Sequence, residues 1–431
     1  MPGTRATSSP SAAATAATVE AVWRIESARL TATLARLVGD VGLAEDMAQD
    51  AMVAALETWP TSGVPDNPAA WLMTTARNRG IDRIRRDRNL EEKYGRIATE
   101  LERKEPEPGP DETAFNDETI GDDVLTLIFT ACHPALTSDS QVALILKTVT
   151  GLSTGEIARA FLVSDSTIAQ RIVRAKRTLA ESEVPFESPE ESEMGTRLAT
   201  VLGVIYLIFN EGYAATTGES WMRTELSSEA LRLGRVLAGL APGEPEVHGL
   251  LALMEIQASR FPARTGPDGE PILLLDQDRS RWDRLLVRRG LGRFELARQL
   301  GGQGPYFLQA SIAACHAKAR TAEETDWNEI VGHYDALLAL GDSPVTELNR
   351  AVAVSMAGDP GKALEAVDRL AVDRRMEGYY LLPGVRGDLL ERLGRREEAA
   401  VEFARAAGMT GNQQERRVFE KRAIEAKNFS N

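Results

Sequence analysis

The sequence predicts an all-α protein made of two small helical bundles followed by a long helical-repeat extension. Three observations carry this. Residues 152–178 read as a helix-turn-helix, apolar residues recur at helical spacing on both sides of it, and the last hundred residues or so repeat a pattern of small and aromatic positions. At 431 residues the chain is long enough for two or three domains with sizeable cores.

Residues 1–18 are mostly Ala, Thr, Ser and Pro, without the basic start and apolar core of a signal peptide, and are expected to form a disordered tail. Residues 19–102 make the first bundle. Residues 103–118 form an acidic linker in which proline excludes a stable helix, and residues 119–182 make the second bundle. A shorter acidic, proline-containing linker spans 183–193, and residues 194–431 are the extension, interrupted by a loop at 261–278.

Within the first bundle, residues 43–56 form an amphipathic helix whose acidic outer face includes Asp46, Gln49 and Asp50. A proline-rich loop, 60–68, leads to a second helix at 71–88. Trp71, Leu72, Ala76, Ile81 and Ile84 mark its apolar face, with Trp71 read as core. Arg77, Arg79, Arg83, Arg85, Arg86 and Arg88 crowd the rest against only Asp82 and Asp87, an electrostatic footprint for phosphates.

In the second bundle Ser153 and Thr154 can cap a helix that buries Ile157, Ala158 and Phe161. After a turn at 162–164, Asp165 or Ser166 can cap a second helix with Ile168, Ile172 and Leu179 inward. Gln170, Arg171, Arg174, Lys176 and Arg177 are left outward, and Gln and Arg suit the base edges of a DNA major groove. A solvated surface helix in an ordinary bundle is the bland alternative.

In the extension Gly387, Leu390, Gly394, Ala399, Phe403 and Ala406 form one copy of a helical hairpin. Ala351, Val354, Gly358, Ala363, Val367 and Leu370 form the preceding copy, and Ala363 and Ala399 stand 36 residues apart. A degraded third copy lies around Trp327, Tyr334, Ala336 and Leu340. Small residues there let paired helices approach, and such repeats stack into surfaces that usually bind protein.

The net charge of −14, from 64 acidic and 50 basic residues, is the wrong sign for a general nucleic-acid coat; local basic patches fit a protein that meets DNA where a partner delivers it. Two cysteines give no disulfide framework and point to a reducing, cytoplasmic compartment. The most apolar stretch, 198–209, is too short to span a membrane. Cys132-His133 and Cys315-His316 could be imagined as four zinc ligands, but neighbours on a helix diverge by about 100°, so no metal or other cofactor is expected. Glu211, Asp276 and Asp278 beside arginines are read as a salt-bridged network holding a loop, not as a hydrolase or metal site. No nucleophile elbow or phosphate-cradling loop is present.

An acidic Glu-Asp-x-x-Gln-Asp helix, then Ala-Trp-Leu-x-x-x-Ala-Arg-Asn-x-x-Ile-Asp-x-x-Arg-Arg, then a helix-turn-helix ending Arg-Ala-Lys-Arg, resembles the σ2 and σ4 domains of extracytoplasmic-function sigma factors over residues 22–182. Residues 129–136, Phe-Thr-Ala-Cys-His-Pro-Ala-Leu, with the long extension, resemble a subgroup carrying a C-terminal tetratricopeptide-repeat-like domain. The resemblance implies a σ2 helical bundle, a σ4 helix-turn-helix domain and a regulatory repeat domain. It implies that Asp46, Gln49 and Asp50 dock on the clamp helices of the largest subunit of core RNA polymerase, with the flap a further contact. It implies that the loop 61–67 and Asn78 capture an unstacked base of melted promoter DNA while Arg77, Arg79 and Arg83 hold neighbouring phosphates. Ser166, Thr167, Gln170, Arg171 and Arg174 would read the upstream promoter element. Many members have a basic residue where this chain has Ala169, which bears on promoter sequence and not on the role.

The implied function is therefore promoter-specific initiation of transcription by a non-enzymatic subunit, regulated by its extension, whose repeat surface is open to a regulatory protein. A helix-turn-helix regulator acting without polymerase is the alternative, and an enzyme in the extension is a further one.

Overall fold

The computed structural model describes residues 12–86, 117–161, 163–214, 221–267 and 269–428. Among these residues the chain is helical, with short 3₁₀ turns and one isolated bridge between Thr265 and Pro271. It divides into two units, Met1–Val204 and Ile205–Asn431.

The first unit contains α1 (Ala12–Val38), α2 (Val41–Ser62), α3 (Pro68–Arg86), α4 (Asp117–Ala131), α5 (Ser138–Thr148), α6 (Thr154–Phe161) and α7 (Asp165–Glu181). Helix α1 begins at Ala12, inside the segment expected to be a disordered tail, where alanine carries the highest intrinsic helix propensity. Helix α2 runs through Pro60 to Ser62, so the loop expected from Pro60 opens only at Gly63, whose φ of 84° lies in the left-handed region. Residues 103–116 of the expected linker lie outside the described residues, and Asp117 already opens α4.

The two bundles read from the sequence pack as one body through α1, which contacts α2 and α3 and also α4. Trp23 is buried and its indole Nε1 donates to the Gly151 carbonyl at 3.1 Å. Arg36 Nε meets the buried carboxylate of Asp123 at 2.8 Å.

Helix α8 (Glu191–Tyr213) has 23 residues and a mean hydropathy of 1.3 in its most apolar window, long and apolar enough to cross a membrane. This corrects the reading of that stretch as too short. Its Val201, Leu202, Ile205, Ile208 and Phe209 are nevertheless buried in the protein, as in a core helix.

The second unit continues with α9 (Thr224–Leu240), α10 (Pro245–Ala258), α11 (Arg284–Gln299), α12 (Pro305–Lys318), α13 (Trp327–Leu340), α14 (Pro344–Met356), α15 (Pro360–Leu370), α16 (Leu381–Arg392), α17 (Arg396–Met409) and α18 (Gln413–Asn428). Helix α10 is apolar nearly all round and is packed by α9, α11 and α12. From its first turn Glu246 accepts the Tyr306 and Phe307 amides at 2.8 and 3.1 Å, satisfying orphan donors at the start of α12.

The 261–283 region is held differently from the expected salt-bridged network. Arg264 is sandwiched between the Tyr213 and Trp221 rings, 3.3 and 4.2 Å from their centroids, and burial lowers its pKa to about 10. Arg279 donates to the carbonyls of His316 and Ala319 at 2.6 and 2.8 Å, while Asp278 and Asp283 cap the turns that follow them. Among the described residues, Glu211 alone of the three expected carboxylates forms an ion pair, with Arg223. Carbonyls and rings brought in from other segments, with the amides of the local turns, take the place of the expected ion pairs.

The small residues of the expected hairpins lie where helices meet: Ala363, Ala399 and Ala406 are buried, as are Val367, Leu390 and Phe403. A Cβ on Gly387 would come within 2.6 Å of the Phe403 ring. Gly387→Ala should therefore destabilise the chain by about 1–3 kcal/mol through overpacking. Gly332→Ala, on α13 with nothing within 4 Å of the added carbon, should stabilise it by roughly 0.5–1 kcal/mol. Urea unfolding of the two variants reads both signs.

Candidate nucleic-acid interface

Helix α6 opens with a capping box: the Glu156 amide donates to Ser153 Oγ at 3.2 Å, and the Ser153 amide donates to the Glu156 carboxylate at 2.7 Å. Ile157 and Ala158 are buried and Phe161 is half-buried. Ser164, in place of Asp165 or Ser166, caps α7, accepting from the Thr167 amide at 3.2 Å. Serine in extended geometry satisfies that amide without carrying the backbone into the helix. Ile168, Ile172, Ala175 and Leu179 face inward as the spacing predicts.

The outward face of α7 is divided. Ser166, Gln170 and Arg174 are exposed, and Thr167 is half-buried. Arg174 forms no ion pair among the described residues. Arg171 instead reaches Asp139 on α5 at 2.7 Å, so its guanidinium is committed to a carboxylate.

Lys176 corrects the sequence reading most sharply. Expected outward, it is only 19% exposed and is bound by Glu45 and by Asp46, the latter at 2.9 Å, both from α2. Glu45 itself is buried, with Lys147 3.7 Å from its other oxygen. Burial works to lower the Lys176 pKa, but the two carboxylates outweigh it and hold the ammonium above its ordinary value.

The polar face of α2 is therefore partly engaged. Asp46, read as freely outward, is half-buried and paired, while Gln49 and Asp50 are half-buried beside it. Arg79, read as a phosphate contact, donates to the Asp50 carbonyl at 3.0 Å and lies 3.5 Å from Glu57, fastening α3 to α2. Arg77 is half-buried and Asn78 is exposed; the side chain of Arg83 lies outside the described residues. Trp59 forms the core there, and half-buried Trp71 meets it edge-on at 5.4 Å. In the loop ahead, Asn67 accepts the Ala70 amide at 3.1 Å and starts α3, leaving Val64, Asp66 and Asn67 exposed.

The two Cys-His pairs fall in different units. Burial pushes each thiol up to about 12, with Glu329 adding to the effect at Cys315. The ligand atoms that approach Cys315, within 4.8 Å of one another, belong to Glu329 and His333 and not to His316.

Comparison with known sequences matches three separate segments of the chain. Residues 24–89 match Sigma-70 region 2, residues 126–179 match Sigma-70 region 4, and residues 197–298 match a family of unknown function, DUF6596. An uncharacterized protein of Rhizobium meliloti is 43% identical over 383 residues, 89% of each chain. A probable ECF RNA polymerase sigma factor SigI of Mycobacterium tuberculosis is 28% identical over 38% of this chain and 56% of its own. An ECF RNA polymerase sigma factor SigK of Mycobacterium ulcerans is 27% identical over 35% of this chain and 78% of its own. No solved structure matches the chain significantly.

Replacing Lys176 with Met should leave Glu45 undercompensated and lower stability by about 1–3 kcal/mol. The double variant Glu45→Met/Lys176→Met should recover most of that loss, because a buried pair replaced together strands no charge. A double variant that simply adds the two single losses would show that the pair is not coupled.

Proposed function

Because the chain belongs to the extracytoplasmic-function sigma factors, which are non-enzymatic initiation factors, we propose that it acts in the cytoplasm by docking its α2 face on the clamp of core RNA polymerase and reading promoter DNA with α7. The observation that carries this reading is the exposed set Ser166, Gln170 and Arg174 on a capped helix whose opposite side is core. Such a helix can enter a major groove with its N-terminal turns leading. Asn78 and the exposed loop 64–67 suit capture of a flipped base, and Arg77 suits a neighbouring phosphate.

Docking on the clamp would use Asp46, Gln49 and Asp50. Since Asp46 is shared with Lys176, polymerase must compete for that carboxylate, and docking would loosen α7 from α2. Arg171 would likewise exchange Asp139 for DNA. The flap of polymerase would receive the second bundle. The stacked hairpins of the extension are read as a tetratricopeptide-like regulatory surface that supports the working assembly and can accept a protein partner.

Run-off transcription tests the whole reading: purified core polymerase should start at the cognate promoter only when this protein is added. A chain ended after Glu187 should transcribe less than the full chain. Greater activity from the fragment would make the extension an inhibitor, and equal activity would make it dispensable for initiation. Arg174→Ala should weaken upstream-element binding by about 1–3 kcal/mol and relax preference at one base pair. Fluorescence anisotropy across single-base promoter variants measures this, and a uniform loss on every sequence would move Arg174 to a phosphate.

A further inference from the structure

The extension holds a half-open cavity of about 470 Å³, a size typical of small-molecule sites. Its wall is assembled from α8, α10, α12, α13, α14 and the loop that ends at Trp282, so it joins the segment matched to the family of unknown function with the repeat hairpins. Ile256, Ile312 and Leu337 give it an apolar body.

The charged part of the wall is one-sided. Arg260 lines the cavity, and neither Asp, Glu nor Lys does among the described residues. Its Nε donates to Gln277 Oε1 at 3.0 Å and its guanidinium lies 5.7 Å from the Trp282 ring centroid. Gln277 is itself anchored to the Ile272 carbonyl at 2.9 Å. The guanidinium is thus held by a neutral amide and a ring, with no carboxylate across from it. Its terminal nitrogens donate to nothing among the described residues.

Three other wall residues carry buried polar atoms that find no partner among the described residues: Gln257 Oε1, Trp282 Nε1 and His316 Nδ1. All three atoms are closed off by the wall itself, so Arg260 is the charged group that lines the open space. Burial, with Arg260 and Arg279 nearby, lowers the His316 pKa to about 4, so this imidazole adds no second charge to the wall. Tyr206 is committed, donating to Gln309 at 3.1 Å, and gives the wall a fixed edge.

We propose that this cavity binds a small organic monocarboxylate, its carboxylate on Arg260 and its apolar or aromatic body against Ile256, Ile312 and Leu337. A single guanidinium matches a single carboxylate in bidentate geometry, whereas a phosphate monoester dianion would leave a second buried charge uncompensated. The binding is independent of the role proposed for the extension in transcription, because it is read on the free chain.

Isothermal titration of the full-length protein with benzoate, phenylacetate, indole-3-acetate and octanoate, each against its neutral amide, tests it. At least one acid should bind, about tenfold or more tighter than its amide, and Arg260→Gln should weaken that acid by a similar factor. Ala313→Phe, which fills the cavity and leaves Arg260 in place, should abolish binding; it also decides the matter if Arg260→Gln does not fold. Absence of binding by every acid, equal binding of acid and amide, or binding that survives Ala313→Phe would each overturn the proposal.

Discussion

The buried carboxylate of Glu45 sets the terms for the first unit. Taking one carboxylate out of water costs several kcal/mol unless cations meet it. Lys176 from α7 and Lys147 from α5 are those cations, so a single acidic residue on α2 draws the helix-turn-helix onto the first bundle. Once Lys176 is there, Asp46 is within reach at 2.9 Å, and the outer face of α2 is tied to the inner flank of the DNA-reading helix. Trp23 to Gly151 and Arg36 to Asp123 close the same interface from α1. A conformational change that separates the bundles has to re-solvate or re-pair Glu45, so any such change is coupled to what else can bind α2.

The extension obeys a different constraint. Helix α10 is buried on most of its surface, which forces its few polar groups into specific bonds. Glu246 takes the first amides of α12, Glu255 meets Arg235 at 2.9 Å, and the His248 ring contacts the Pro242 carbonyl at 2.9 Å. The Glu246 bonds fix α12 against α10 and thereby shape the wall that carries Gln309, Ile312 and His316, while the other two hold α9 and the turn before α10. Stacked hairpins then add α13 and α14, so the cavity is a by-product of how the two halves of the extension meet around one buried helix.

Much of the fold could be read before any coordinates. Ser153 reads as a helix cap from sequence, and the structure forms that cap and adds the return bond to Glu156. The buried set Ile168, Ile172 and Leu179 follows from helical spacing alone. Gly387 signals a close helix pair, and Phe403 is what it approaches. The candidate site was less legible. Ser166, Gln170 and Arg174 lie outward as expected, but Arg171, Lys176, Asp46 and Arg79 each found a partner on another helix. A long flexible side chain at an outward position reaches whatever charge the fold delivers, and periodicity carries no information about that partner.

By itself the sequence determined most of the helical segments and which face of each is apolar, because propensity and spacing are local properties of the chain. Only the tertiary structure decided which charges pair and that the apolar run of α8 is packed in the protein. It also decided that Arg260 lines a cavity without a facing carboxylate. Ion pairing and cavity shape depend on distances between residues far apart in sequence: Glu45 and Lys176 meet across some 130 positions, and nothing local to either one names the other.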